Sequence, residues 1–249
     1  ISLALAVTAT GAILSTASPE MGLEAIADRF GPLRPAWLVA HAAARGFDTG
    51  EPLADKLAAL ATRLPGLRGV VRADGEPLAG PWPQFTLDEL AARGKGLPFA
   101  WPSFGFNHPL FILFSSGTTG RPKCIVHGAG GSLIEHLKEH RLHTGLETGD
   151  RMYFHTSCSW MMWHWQLSAL ASGVEIVTWD GPVASAASLW QLVARERVTV
   201  FGTSPAYLRM SQDAGVLPAR DVDLSALRAI LSTGAVLHEA QFDWVRDHV

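Results

Sequence analysis

Cysteine is scarce in this chain: Cys124 and Cys158 are the only two in 249 residues. Two thiols cannot make the disulfide framework of a small secreted fold. A reducing, cytoplasmic setting fits best, with each thiol expected as a buried structural group. Charge is sparse too, at 17% Asp, Glu, Lys and Arg, against ~25% in ordinary globular domains. That points to a well-buried α/β interior. A net charge of −3 gives no basic face for nucleic acid to bind. Long apolar runs are also missing. The nearest, residues 158–173, is broken by Ser159, His164, Gln166 and Ser168, and a membrane span needs roughly 18 unbroken apolar residues. The apolar start, residues 1–15, lacks the basic flank of a signal peptide. It reads as a helix ending at Gly11 and a strand over 12–15, with the true N-terminus expected upstream.

What is present is an alternation of strand and helix patterns. Strands are expected over 12–17, 37–40, 70–72, 109–114, 123–127, 150–155, 175–180, 198–201 and 227–231. Between them lie helical stretches: 18–30 with Pro19 in its first turn, 53–64, 87–93, 160–165, 187–195 and 206–214. Another starts at Ser132, capped with Glu135 in a capping box after a glycine turn over 128–131, and a last one follows Val236. Such alternation implies parallel pairing: an α/β fold of layered helices and mainly parallel sheets. Residues 1–75 form a first α/β unit and 109–249 a second. The connection over 76–108 is rich in Pro and Gly yet carries Trp82, Phe85, Phe99, Trp101, Phe104 and Phe106. It is too apolar for a solvated linker and is expected to pack on the body of the domain.

One stretch stands apart. The apolar run 109–114 stops in Ser115-Ser116-Gly117-Thr118-Thr119-Gly120 and closes with Arg121, Pro122 and Lys123. Glycines expose backbone N–H groups, hydroxyls add donors and Lys123 adds charge, which together suit a polyphosphate. It is not a Walker loop: Pro122 separates Gly120 and Arg121 from Lys123, and Cys124 stands where Ser or Thr is required. Because Pro122 disfavours helical geometry at Arg121, strand–loop–strand is the expected context.

Two other stretches are ambiguous. His136-Leu-Lys-Glu139-His140 matches the inverzincin pattern. Its neighbours Lys138, Arg141 and His143 suggest a solvated mixed-charge face, and no metal site is expected there without a third ligand. Trp160, Met161, Met162, Trp163 and Trp165 can bury pairs on one helix, Trp160 with Trp163 and Met161 with Trp165, or wall an apolar ligand pocket.

Three blocks in order carry a family resemblance: residues 115–123; residues 156–165 leading to Trp179-Asp180-Gly181; and the turn 232–236 after a strand. Together they resemble the adenylate-forming enzymes, the superfamily of acyl-CoA synthetases, luciferases and peptide-synthetase adenylation domains. Residues 136–145 and 159–164 are most similar to the acetoacetyl-CoA synthetase group. The resemblance implies ATP-dependent activation of a short-chain carboxylate, acetoacetate first, as an acyl-adenylate, then thioester formation with coenzyme A. It implies ATP, Mg²⁺ and coenzyme A, no nucleic acid or membrane, and no particular oligomeric state. By the resemblance, Ser115, Ser116, Gly117, Thr118, Thr119, Gly120 and Lys123 would grip the β- and γ-phosphates. Gly234, Ala235 and Val236 would line the adenine, although they depart from the Gly-Glu-Pro turn of acetyl-CoA synthetases. Trp160, Met161 and Met162 would wall the acyl pocket.

The superfamily's Mg²⁺-ligand glutamate and the lysine of its small C-terminal domain are not among residues 1–249. The chain is therefore expected to be part of the large N-terminal domain, without the C-terminal domain and incomplete for catalysis. Other readings remain: an acetyl- or propionyl-CoA synthetase or another adenylating enzyme, a non-catalytic nucleotide binder, or a zinc hydrolase built on His136 and His140.

Overall fold

The structure is a computed structural model that describes residues 1–43, 52–115 and 122–249. It divides into two compact units, Ile1–Ala129 and Gly130–Val249.

The first unit runs α1 (Ser2–Ala9), β1 (Leu14–Ser15), α2 (Leu23–Leu33), β2 (Trp37–His41), α3 (Leu53–Thr62), β3 (Gly69–Asp74), β4 (Gln84–Thr86), α4 (Leu87–Gly94), β5 (Pro109–Phe114) and β6 (Cys124–Gly128). Strands β2, β3 and β4 pair in parallel, in that order. In a second sheet β1 pairs in parallel with β5, and β5 pairs antiparallel with β6. Leu57, Leu60 and Leu64 recur at helical spacing and bury against Ile26, Leu38 and Val70.

The helix α5 (Ala129–Lys138) widens into a π-helical turn, Glu139–His143. The second unit continues with β7 (Arg151–Phe154), α6 (Met161–Ser168), β8 (Glu175–Ile176), α7 (Ser188–Arg195), β9 (Val200–Thr203), α8 (Pro205–Asp213), α9 (Pro218–Asp221), β10 (Ala229–Ser232) and α10 (Glu239–His248). Its one four-stranded sheet is parallel throughout, in the order β10-β9-β7-β8. Val200 and Phe201 are wholly buried, as strands covered on both faces should be. The expected α/β class with mainly parallel sheets is what the structure shows.

Several local expectations are corrected. Residues 18–21 form a turn, closed by the Met21 N–H on the Ser18 carbonyl, so α2 starts at Leu23 and runs through Pro32 to a left-handed Arg34. Ser132 caps nothing: Ala129 to Gly131 are already helical, with the Ala129 N–H held by the His108 carbonyl at 2.8 Å. The segment 76–108 packs only in part. Leu78 is buried and Thr86 and Glu89 form a capping box on α4, but residues 90–107 lie exposed. Their aromatics pair locally, Phe99 edge-on to Trp101 and Phe104 stacked on His108. Cys124 is exposed on the edge strand β6 and Cys158 half-buried, so neither is a buried thiol.

At the N-terminal edge of the four-stranded sheet, Asp150 ties three strands together. Its carboxylate accepts from Thr199 Oγ1 at 2.7 Å, from Arg228 at 2.5 Å and 3.1 Å, and from the Glu147 N–H at 2.9 Å. The Arg228 guanidinium, first of all, holds this carboxyl down to about 2. Replacing Asp150 by Asn is expected to lower unfolding stability by roughly 1–3 kcal/mol at pH 7. The carboxylate's contribution is complete above its unfolded pKa near ~4 and is lost as pH falls from there towards its folded value. Urea denaturation of wild type and Asp150→Asn at pH 7 and pH 3 tests this. The stability gap should narrow at pH 3, and an unchanged gap would refute the assignment.

Candidate functional site

The candidate phosphate stretch is closed at its base. The Ser115 N–H donates to the Lys123 carbonyl at 3.1 Å, where β5 and β6 pair from Phe114 opposite Cys124 to Pro109 opposite Gly128. This is the strand–loop–strand context that Pro122 demands. Ser115 is half-buried and Lys123 exposed. Ser116, Gly117, Thr118, Thr119 and Gly120 lie outside the described residues.

In the second unit, parallel pairing brings the C-terminal ends of β7, β9 and β10 to one edge, with Phe154 opposite Gly202 and Ser232 opposite Thr203. Open α/β sheets hold their ligands outside that edge. The turn after β10 contains Gly234, with φ 94°, and then Ala235 and Val236, both exposed. After β7 the chain reaches Trp160, the N-cap of α6. The two segments meet: a Cβ placed on Gly234 would lie 2.9 Å from Trp160 Cη2. Met162 packs towards the buried cluster of Met152, Phe154 and Trp165. Trp160 and Met161 remain 45% and 49% exposed. The expected helical burial of both Trp/Met pairs therefore fails, because the helix begins only at Met161 and leaves Trp160 outside its stripe.

Groups that sequence reasoning did not single out also lie at this edge. His155 donates its N–H to the Gly202 carbonyl at 2.8 Å and its Nδ1 meets the Tyr153 hydroxyl at 3.0 Å. Burial pushes its pKa below the ordinary histidine value, so the ring is neutral at pH 7. The hydroxyls of Thr203 and Ser232 are buried without a hydrogen-bond partner among the described residues. The available signal was their place at strand ends, hidden because residues 202–205 read as a turn.

The pattern from His136 to His140 is not a solvated face. Both histidines are buried, and with Glu139 they grip α6. His140 Nε2 lies 2.9 Å from the Trp165 carbonyl and 3.0 Å from Ser168 Oγ, and His136 Nδ1 lies 2.9 Å from the same Ser168 oxygen. Glu139 accepts from Trp165 Nε1 at 2.7 Å. On the other side, Gln166 Oε1 accepts the Phe154 N–H. A separate cleft of about 380 Å³ beside β8 is lined by Arg151, Glu175, Trp179, Arg195 and Glu196. Its arginines are already engaged by Glu175 at 2.6 Å and Glu196 at 2.9 Å.

A parallel α/β sheet whose strand ends gather at one edge, where Trp160 closes on the turn at Gly234, is the class of scaffold that holds its ligands at that edge. The chain belongs to the AMP-binding enzyme family, whose model matches residues 1–249. It is 40% identical to the acetoacetyl-coenzyme A synthetase of Rhizobium meliloti (strain 1021), over 100% of this chain and 39% of that protein. It is 36% identical to the acetoacetyl-CoA synthetase of Gallus gallus, over 98% of this chain and 38% of that one. The solved acetoacetyl-CoA synthetase from Streptomyces lividans superposes with a TM-score of 0.89 at 37% identity, over 99% of this chain and 38% of that one. The chain thus spans about two-fifths of the length of the curated relatives it matches.

Gly234 is the position where substitution should be felt. Gly234→Ala imposes a strained positive φ and drives a methyl against Trp160, with an expected loss of about 1–3 kcal/mol in unfolding stability. Gly131, helical with open space around it, provides the control, and Gly131→Ala should be neutral or stabilising. Thermal denaturation of both variants checks the contrast. Equal midpoints would remove Gly234 from the site's architecture.

Proposed function

We propose that the full-length protein carrying this chain is an ATP-dependent, AMP-forming acid:CoA ligase acting on a short carboxylate with a second carbonyl at its third carbon, acetoacetate first. Family membership supports the nucleotide chemistry. The substrate class rests on relatives whose names share one acyl feature. Besides the acetoacetyl-CoA synthetases, the chain is 34% identical to the malonamoyl-CoA synthetase vrtB of Penicillium aethiopicum, over 97% of this chain and 37% of that protein. Acetoacetate and malonamate both carry a carbonyl two carbons from the carboxylate.

The single observation that carries the site assignment is the contact of Trp160 with Gly234. In this reading it joins the acyl wall of Trp160, Met161 and Met162 to the adenine turn of Gly234, Ala235 and Val236. The carboxylate oxygen attacks the α-phosphorus of ATP and pyrophosphate leaves. The coenzyme A thiol then attacks the acyl carbon and AMP leaves with the C–O electron pair. An anion attacking a polyanion needs preorganised donors on the departing charge. Lys123, Ser115 and the residues Ser116, Gly117, Thr118, Thr119 and Gly120 are assigned to the β- and γ-phosphates. Among the described residues no group of three His, Cys, Asp or Glu side chains could hold a metal ion. Mg²⁺ is expected to be held largely by the nucleotide's phosphate oxygens, and no residue here is assigned to it.

Acid-dependent exchange of labelled pyrophosphate into ATP by the full-length protein tests the reading. Acetoacetate should support exchange best, and Lys123→Ala should lower kcat/KM by roughly a hundredfold. Preference for acetate or propionate would move the protein to an acetyl- or propionyl-type ligase. ATP binding without exchange for any acid would make it a non-catalytic nucleotide binder.

A further inference from the structure

The histidine pattern from residue 136 to 140, which the reaction leaves unused, has a defined target. All of its polar contacts named above fall on Trp165 and Ser168, in the body of α6. The Trp165 carbonyl can only accept, so His140 Nε2 carries the proton and donates to it, with Ser168 Oγ beside it at 3.0 Å. Burial holds the ring's pKa below the ordinary value, which keeps it neutral. The His140 and Trp165 rings also pack against each other, inclined at 47° with 4.2 Å between centroids. Glu139 and His140 of this cluster sit in the π-helical turn Glu139–His143, and such turns concentrate at functional sites. One helical turn before Trp165, the same helix delivers Met161 and Met162, with Trp160 at its cap.

We propose that His140 is a positioning residue for acid selectivity: by holding the Trp165 carbonyl and Ser168 it fixes the seating of α6, and so how closely Trp160, Met161 and Met162 approach the turn at Gly234. The inference rests on the acyl-wall reading above. A wall held by directional hydrogen bonds keeps one depth, whereas a helix held only by apolar packing can slide and admit a longer chain.

The test is pyrophosphate exchange by the full-length protein with acetoacetate and with 3-oxohexanoate, a longer acid of the same class. His140→Phe keeps the ring packing and removes the donor. It should raise KM for acetoacetate roughly tenfold and cut the preference for the shorter acid by a similar factor, with KM for ATP unchanged. His140→Gln, whose amide N–H can reach the Trp165 carbonyl, should restore most of the preference. Ser168→Ala, which leaves that bond in place, should give a smaller shift in the same direction. A soluble His140→Phe protein with wild-type preference overturns the proposal, as does equal impairment by Phe and Gln. If neither His140 variant is soluble, an unchanged preference in Ser168→Ala overturns it. Absence of acid-dependent exchange in the wild type is a separate result: it removes the ligase reading and this inference together.

Discussion

Parallel pairing of β7, β9 and β10 is the constraint on which the second unit depends. Three strands running the same way must end at the same edge, so the segments that follow them converge without any further instruction. The pairing demands close approach. Gly202 has no side chain because a Cβ there would fall 2.0 Å from the Phe154 ring, and that ring belongs to the core beneath Met162. Asp150, Thr199 and Arg228 tie the opposite, N-terminal edge. One edge is therefore committed to structure, with its charges matched. The other is left to carry the glycine turn and the tryptophan cap.

The seating of α6 follows a different physical rule. Apolar contact is non-directional, and a helix as apolar as this one could rest on the sheet in more than one register. Buried polar groups remove that freedom, because each one left unpaired costs about 1–3 kcal/mol. Gln166 on the β7 side and His136, Glu139 and His140 on the other make hydrogen bonds that only one seating satisfies. Their contribution is specificity of position more than net stability, which for a buried polar network is small.

How much of this was legible in the sequence depended on whether the deciding physics was local. Pro122 acts on its own neighbour, so the strand pairing around the candidate phosphate stretch could be read directly, and most other strands lie within a residue or two of the expected ends; the strand expected over 175–180 stops at Ile176, and β4 was not foreseen. Where the outcome depended on which face meets the core, local reading failed. Lys138 and Arg141 flank His136 and His140, and their charge suggested a wet helix. Lys138 instead pairs with Glu135 at 2.8 Å, and Arg141 reaches Ser172 at 3.2 Å, leaving the histidines inside. The aromatics between 97 and 106 failed the opposite way. Hydrophobicity implied burial, but without helical or strand periodicity no common face forms: Phe99 pairs edge-on with Trp101, while Phe104 stacks on His108 and lies against Gly11.

The turn at Gly234 shows how a departure from a family pattern can be interpreted physically. Where acetyl-CoA synthetases are described by Gly-Glu-Pro, this chain has Gly234, Ala235 and Val236, and no polar side chain remains to meet a base. Val236 is 73% exposed and Ala235 is open as well, so neither is held there by packing. What the turn retains is the positive φ and the missing Cβ at Gly234, the two properties that let Trp160 close on the backbone. In the proposed reading, a planar base at this turn would meet backbone amide groups and the flat tryptophan face, not side-chain hydrogen bonds. The glycine and the tryptophan are then structurally coupled, since a Cβ at residue 234 would have to displace the ring it now admits.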